Sequence, residues 1–62
     1  MTTKRMIELA WAYGSRYYAG KQIANIEVVG GEFCDRWGID GESLSDSAWK
    51  RIKTAIRKGA RS

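Results

Sequence analysis

Sixty-two residues make one domain at most. Eleven bases against seven acids leave a net charge of +4, with no histidine and a single cysteine. These counts exclude an intramolecular disulfide and remove both the commonest metal ligand and the usual proton shuttle. A chain this short buries only about 60% of its unfolded surface, so it lies near the stability limit. The means of filling a core are Trp11, Tyr13, Tyr17, Tyr18, Phe33, Trp37 and Trp49. That core is either the chain's own or one shared across a homodimer.

No apolar run approaches the roughly 18 residues of a membrane span. Glu8 interrupts the apolar start that a signal peptide needs. A cytoplasmic protein is expected, with no membrane partner, and the lone cysteine agrees with a reducing compartment. Charge is strongly segregated. Residues 1–26 carry Lys4, Arg5, Arg16 and Lys21 against Glu8, a net +3. Residues 27–46 carry Glu27, Glu32, Asp35, Asp40, Glu42 and Asp46 against Arg36, a net −5. Residues 47–62 carry six bases and no acid. Such asymmetry points to a charged partner, or to parts of the fold that face each other.

In chain order, Thr2 or Thr3 caps a first helix from Lys4 to about Ala19. Met6, Leu9, Ala10, Tyr13 and Tyr17 recur there at three- and four-residue steps. Ile7, Trp11 and Tyr18 widen the stripe beyond half the circumference, as in a helix central to a bundle or shared with a partner. Gly14 either permits a close helix crossing or marks a break, and Gly20 is a stop. Residues 21–29 suit a short helix, although Ile26–Val29 also alternates like a strand and Gly30-Gly31 could turn a hairpin. The helix is preferred, near 21–28, ending at the glycine pair. Glu32 to Trp37 then makes a short third helix, stopped by Gly38. Ser43 and Asp46 resemble a capping box for the last helix, near 44–58, with Ser45 or Asp46 as other caps. At roughly 100° per residue, Leu44, Ala48, Trp49, Ile52, Ala55 and Ile56 share one of its faces. Lys50, Arg51, Lys53, Arg57 and Lys58 share the other, and Gly59 ends the helix. The expected fold is all-α: a small domain of three or four helices spanning 1–62.

Residues 31–52 resemble the helix-turn-helix of DNA-binding proteins. Cys34 stands at the small-residue place, Gly38 at the turn glycine four residues on, and Ile39 at the aliphatic place that packs inward. Phe33, Trp37 and Leu44 occupy neighbouring apolar places. Ser47 departs from the pattern, since a buried aliphatic residue belongs there, and an extra turn residue would restore the register. The resemblance implies that residues 44–58 form a recognition helix in the major groove. Ser45, Asp46, Ser47 and Lys50 would then face base edges, with Lys53, Arg57, Lys58 and Arg61 on phosphate.

Two functional classes emerge. The first is a small basic DNA-binding regulator whose duplex-DNA surface is Ser47, Lys50, Arg51, Lys53, Thr54, Arg57, Lys58 and Arg61. The second is a small interaction or inhibitor protein that blocks a nucleic-acid-binding partner. Its surface would be the acidic band of Asp35, Asp40, Glu42 and Asp46, imitating phosphates, with Trp11 and Tyr18 as exposed aromatics. The size suits the compact genomes of phages and plasmids. The mixed run of aromatics and bases at 11–21 also fits stacking with single-stranded nucleic acid, although core packing accounts for Tyr13 and Tyr17. No enzyme, metal or cofactor is expected. Cys34 lacks a histidine to activate it, the acids match no calcium loop, and Gly30-Gly31-Glu32 lacks the Lys-Ser/Thr of a phosphate loop.

Overall fold

The computed structural model describes residues 1–62. Three α-helices follow one another: α1, Thr3–Tyr17; α2, Ile26–Arg36; and α3, Asp46–Arg61, with a 3-10 turn at Gly41–Ser43 between the last two. The fold is all-α. No helix is long and apolar enough to cross a membrane.

Each helix begins at a polar cap. The Thr2 hydroxyl accepts from the Arg5 N–H at 3.2 Å. Asn25 Oδ1 accepts from the Glu27 and Val28 N–H groups, and Ser45 Oγ accepts from the Ala48 N–H at 3.1 Å. These side chains satisfy donors that the first helical turn leaves unpaired. The Ser43–Asp46 capping box does not form. Residues 41–43 close their own turn instead, with Asp40 Oδ1 accepting from the Glu42 N–H and the Ser43 hydroxyl donating to the Asp40 carbonyl. The start of α3 is thereby moved from Leu44 to Asp46.

Only some of the glycines punctuate the chain where expected. Gly30-Gly31 lies inside α2, so the two expected short helices are one. Tertiary contact overrides propensity there: a methyl on Gly30 would sit 2.6 Å from the Trp49 ring, so the bare backbone gives that ring its seat. Nothing in the structure requires glycine at 31. The signal that ends α2 is Gly38, at φ +64°. The Ile39 N–H donates to the Cys34 carbonyl at 2.8 Å, and the Gly38 N–H to the Asp35 carbonyl at 3.4 Å. That pair of bonds is a Schellman cap, which needs a left-handed residue at Gly38. Gly59 does not end α3 either, and the helix runs on to Arg61. α1 ends at Tyr17, two residues earlier than its pattern suggests.

Gly14 and Gly59 serve the crossing of α1 and α3. A Cβ on Gly14 would lie 2.0 Å from the Ile56 carbonyl oxygen, and one on Gly59 2.0 Å from the Trp11 carbonyl oxygen. The two backbones therefore touch where both side chains are absent. Ile7 and Arg51 share a groove toward the helix starts. Near the ends, the Gly20 N–H donates to the Ala60 carbonyl at 3.0 Å. The two helices thus run in the same sense and pack directly on each other, and α2 returns across them.

The core consists of Met6 and Ala10 of α1, Val29, Phe33 and Cys34 of α2, and Ile52, Ala55 and Ile56 of α3. Phe33, Ile52 and Ile56 are fully enclosed. Tyr13, Tyr18, Ile39, Leu44 and Trp49 pack around them. Tyr13 meets Phe33 edge to face, centroids 5.5 Å apart. The aromatic supply is only partly spent in this way, since Trp11, Tyr17 and Trp37 remain substantially exposed. The Cα radius of gyration, 10.4 Å, equals the roughly 10.6 Å expected of a folded chain of this length.

Candidate nucleic-acid interface

The strongest polar asymmetry is on α3. Its buried residues, Ala48, Ile52, Ala55, Ile56, Gly59 and Ala60, hold one side of the helix against α1 and α2. At 100° per residue the opposite side is centred on Lys50, Thr54, Arg57 and Arg61, flanked by Ser47, Arg51 and Lys58. Residues 47–62 carry no acidic side chain. The result is a basic ridge from Lys50 to Arg61, about 16 Å long. Its polarity also suits the helix, with Asp46 in the first turn and Lys58 and Arg61 in the last.

Beside the ridge, α1 and α3 leave a groove. Ile7 and Trp11 form one wall, and Lys50, Arg51, Thr54 and Lys58 the other. Trp11 is 43% exposed, so much of its ring faces solvent next to these cations. Two sets of residues that the sequence assigned to different functions thus meet: Trp11 and the basic helix. Glu8, the one acid of α1, pairs with Arg5 at 3.7 Å and borders the neighbouring groove with Arg51.

Lys53 corrects the sequence reading. It was expected on the solvated basic face, but it turns toward α2, its side chain only 21% exposed, and Nζ bonds Glu27 Oε1 at 2.6 Å. The Trp49 indole N–H donates to the other oxygen of Glu27 at 3.1 Å. The Lys53 ammonium lies 5.2 Å from the centroid of the Trp49 ring. The hydrogen bond from Lys53 holds the Glu27 carboxyl below its ordinary range, assisted by Trp49. Lys53 is therefore a structural clamp between α2 and α3 whose charge is already neutralised.

The acids separate into two kinds. Glu27 and Glu32 serve contacts within the fold, Glu32 accepting from the Tyr18 hydroxyl at 3.4 Å. Asp35, Asp40, Glu42 and Asp46 line a single groove with Cys34, Ile39, Leu44 and Trp49. No three of these carboxylates converge as a metal site requires. Trp11 and Tyr18 are not part of this groove. Tyr18 caps α1 and packs on the core, so the expected exposure holds for Trp11 only. Burial, then the neighbouring Glu32, pushes the Tyr18 hydroxyl above its ordinary pKa. Cys34 is buried, and burial, then Asp35, raises its thiol, which leaves little thiolate near neutrality.

The sequence missed Tyr17 and Trp37 as surface residues. Helical spacing puts both on apolar faces, but Tyr17 is the last residue of α1 and Trp37 follows the last of α2, where each stays exposed. The places that carry the helix-turn-helix resemblance have definite geometry: Cys34 is buried, Gly38 is left-handed and Ile39 packs on the core. The whole of 37–45 separates α2 from α3, however, where the motif has a turn of roughly 3–4 residues. Compared with protein-family models, curated proteins and solved structures, the chain matches none.

Proposed function

We propose that the chain is a small nucleic-acid-binding domain that docks on duplex DNA through the outward face of α3 and the groove beside Trp11. The observation that carries this reading is the basic ridge. Lys50, Arg51, Arg57, Lys58 and Arg61 project from one rigid helix with no acid among them, next to an exposed indole. Such a surface neutralises phosphates and releases counterions, which makes affinity fall with salt. Docking uses the middle and end of α3. Its start lies beside Asp40, Glu42 and Asp46, which repel phosphate.

The test is fluorescence anisotropy of a duplex across a salt series. Five neutralised phosphates would give a log–log slope of about −4.5. Lys50→Ala, Arg57→Ala and Lys58→Ala should each flatten that slope by about 1, similarly for any sequence. Lys53→Ala should leave it unchanged, because Glu27 already holds that charge. No binding at low salt refutes the proposal, and equal effects at Lys53 and Lys58 refute the assignment of the surface.

The acidic groove favours a second reading, a domain that blocks a nucleic-acid-binding protein by seating its basic side chains among Asp35, Asp40, Glu42 and Asp46. Changing Asp40, Glu42 and Asp46 together to Asn, Gln and Asn distinguishes the two. Tighter duplex binding with no effect on protein capture sinks the blocking role. Slowed association with a nucleic-acid-binding protein, and no DNA affinity in either form, sinks the DNA-binding role.

A further inference from the structure

A second groove, between α1 and α2, shares no residue with the basic ridge. It is lined by Tyr17 and Trp37, by Arg16 and Arg36, and by Leu9 and Ala12. Tyr17 is 37% exposed and Trp37 45% exposed, which is unusual for rings of this size in a domain with so little core. No carboxylate lines the groove. Neither arginine has an acidic partner, since the ion pairs of the chain are Arg5–Glu8 and Lys53–Glu27.

The arginines are also placed. Arg36 Nη2 donates to the Tyr17 hydroxyl at 2.7 Å. This spends one of its five N–H donors and lays the guanidinium over the Tyr17 ring, 5.0 Å from its centroid, the remaining donors being available. Arg16 lies 5.8 Å from the centroid of the same ring. Flat apolar faces and unneutralised planar cations thus occupy one groove.

We propose that this groove is a single-strand site, which stacks an unpaired base against Trp37 and takes the adjoining phosphates on Arg16 and Arg36, which Tyr17 holds beside it. Charge complementarity selects an anion, and the exposed indole of Trp37 selects one with a planar face. A nucleotide of a single strand offers both, and every base has a face to stack. An acidic peptide would satisfy the arginines but leave the indole of Trp37 in water. The bases of a duplex are stacked on one another and cannot reach the rings. The inference rests on the nucleic-acid reading of the chain and extends it from the charge of the ligand to its strandedness, on a separate set of residues.

The experiment measures anisotropy of labelled oligo(dT), and of a duplex of equal length, with the wild-type chain, Trp37→Ala, Arg16→Gln and Lys58→Ala. Polyglutamate serves as a competitor. Trp37→Ala should weaken single-strand binding about tenfold, the loss that follows removal of one base–aromatic stack. Arg16→Gln should flatten the single-strand salt slope by about 0.7. Both should leave duplex affinity as it was, whereas Lys58→Ala should lower it. Wild-type single-strand affinity in Trp37→Ala, with an unchanged circular dichroism spectrum, overturns the proposal. If Trp37→Ala does not fold, Arg16→Gln decides, and an unchanged slope overturns it. Duplex binding without oligo(dT) binding overturns the single-strand site and leaves the basic ridge intact. Binding of neither nucleic acid overturns both. Polyglutamate bound through Trp37, with oligo(dT) unbound, overturns it in favour of an acidic peptide.

Discussion

Alanine at Gly14 should cost this domain a large part of its stability. The methyl would lie 2.0 Å from the Ile56 carbonyl oxygen, whereas ordinary contact begins at 3.4 Å. The obstacle is backbone on a packed helix, which cannot rotate aside as a side chain can. α1 and α3 must part by more than 1 Å, and the core between them opens. Overpacking of this kind costs about 1–3 kcal/mol, and the backbone obstacle puts Gly14 near the upper end. Alanine recovers about 1 kcal/mol of helix propensity, so the net loss is about 2 kcal/mol. A domain of this length holds only about 3–9 kcal/mol in total. Each kcal/mol moves the midpoint by about 4–8 °C in a small domain, so Gly14→Ala should melt about 8–16 °C below the wild type. Gly59→Ala, which meets the Trp11 carbonyl at the same distance, should behave alike. The two together should lose less than the sum, because both part the same crossing. Gly31→Ala is the internal control. Nothing lies within 4 Å of that position and it is helical, so propensity alone acts and the midpoint should rise. Thermal unfolding followed by circular dichroism at 222 nm reads all four variants. A Gly14→Ala protein that melts at or above the wild type refutes the crossing geometry, whatever Gly31→Ala does.

Three further outcomes follow from the packing and the charges. Ile52→Ala, at a fully enclosed position, should lose about 2–5 kcal/mol; a denaturant midpoint within error of the wild type would show that α3 does not seat on this face. Folding depresses the Glu27 pKa below its ordinary value of 4.5, so its stabilising contribution is present above that value and is lost as pH falls through the lower folded one. The stability gap between wild type and Glu27→Gln should therefore narrow from about pH 6 to about pH 3, and a gap constant with pH would remove the Lys53–Glu27 clamp from the account. Native Cys34, buried with its thiol raised by that burial, should react with a thiol reagent at neutral pH far more slowly than in denaturant, and equal rates would place it at the surface.

What the chain determines by itself is local. The caps Thr2 and Ser45 lie beside apolar steps of three and four, and a polar side chain next to such a run satisfies the same orphan donors wherever the helix packs. The apolar side of α3 is legible for the same reason, because its spacing is the helical period, and so is the basic side opposite. The left-handed stop at Gly38 follows from a glycine set just past an apolar helix face. The other glycines carried no such local meaning. Gly30 and Gly59 look like breaks in sequence and Gly14 like either a break or a close crossing, and each marks a place where another part of the chain comes too close for a side chain, a neighbour remote in sequence. The candidate surfaces divide in the same way. A wheel drawn on α3 finds Lys50, Arg57 and Lys58 outside, but it also puts Lys53 there, since only packing brings Glu27 of α2 within reach to hold it inward. Trp11 meets the basic helix because α1 and α3 cross at two glycines. Tyr17 meets Arg36 because α2 returns beside the end of α1. Spacing along one helix fixes which residues share a face, and only the crossing of helices decides which faces share a groove.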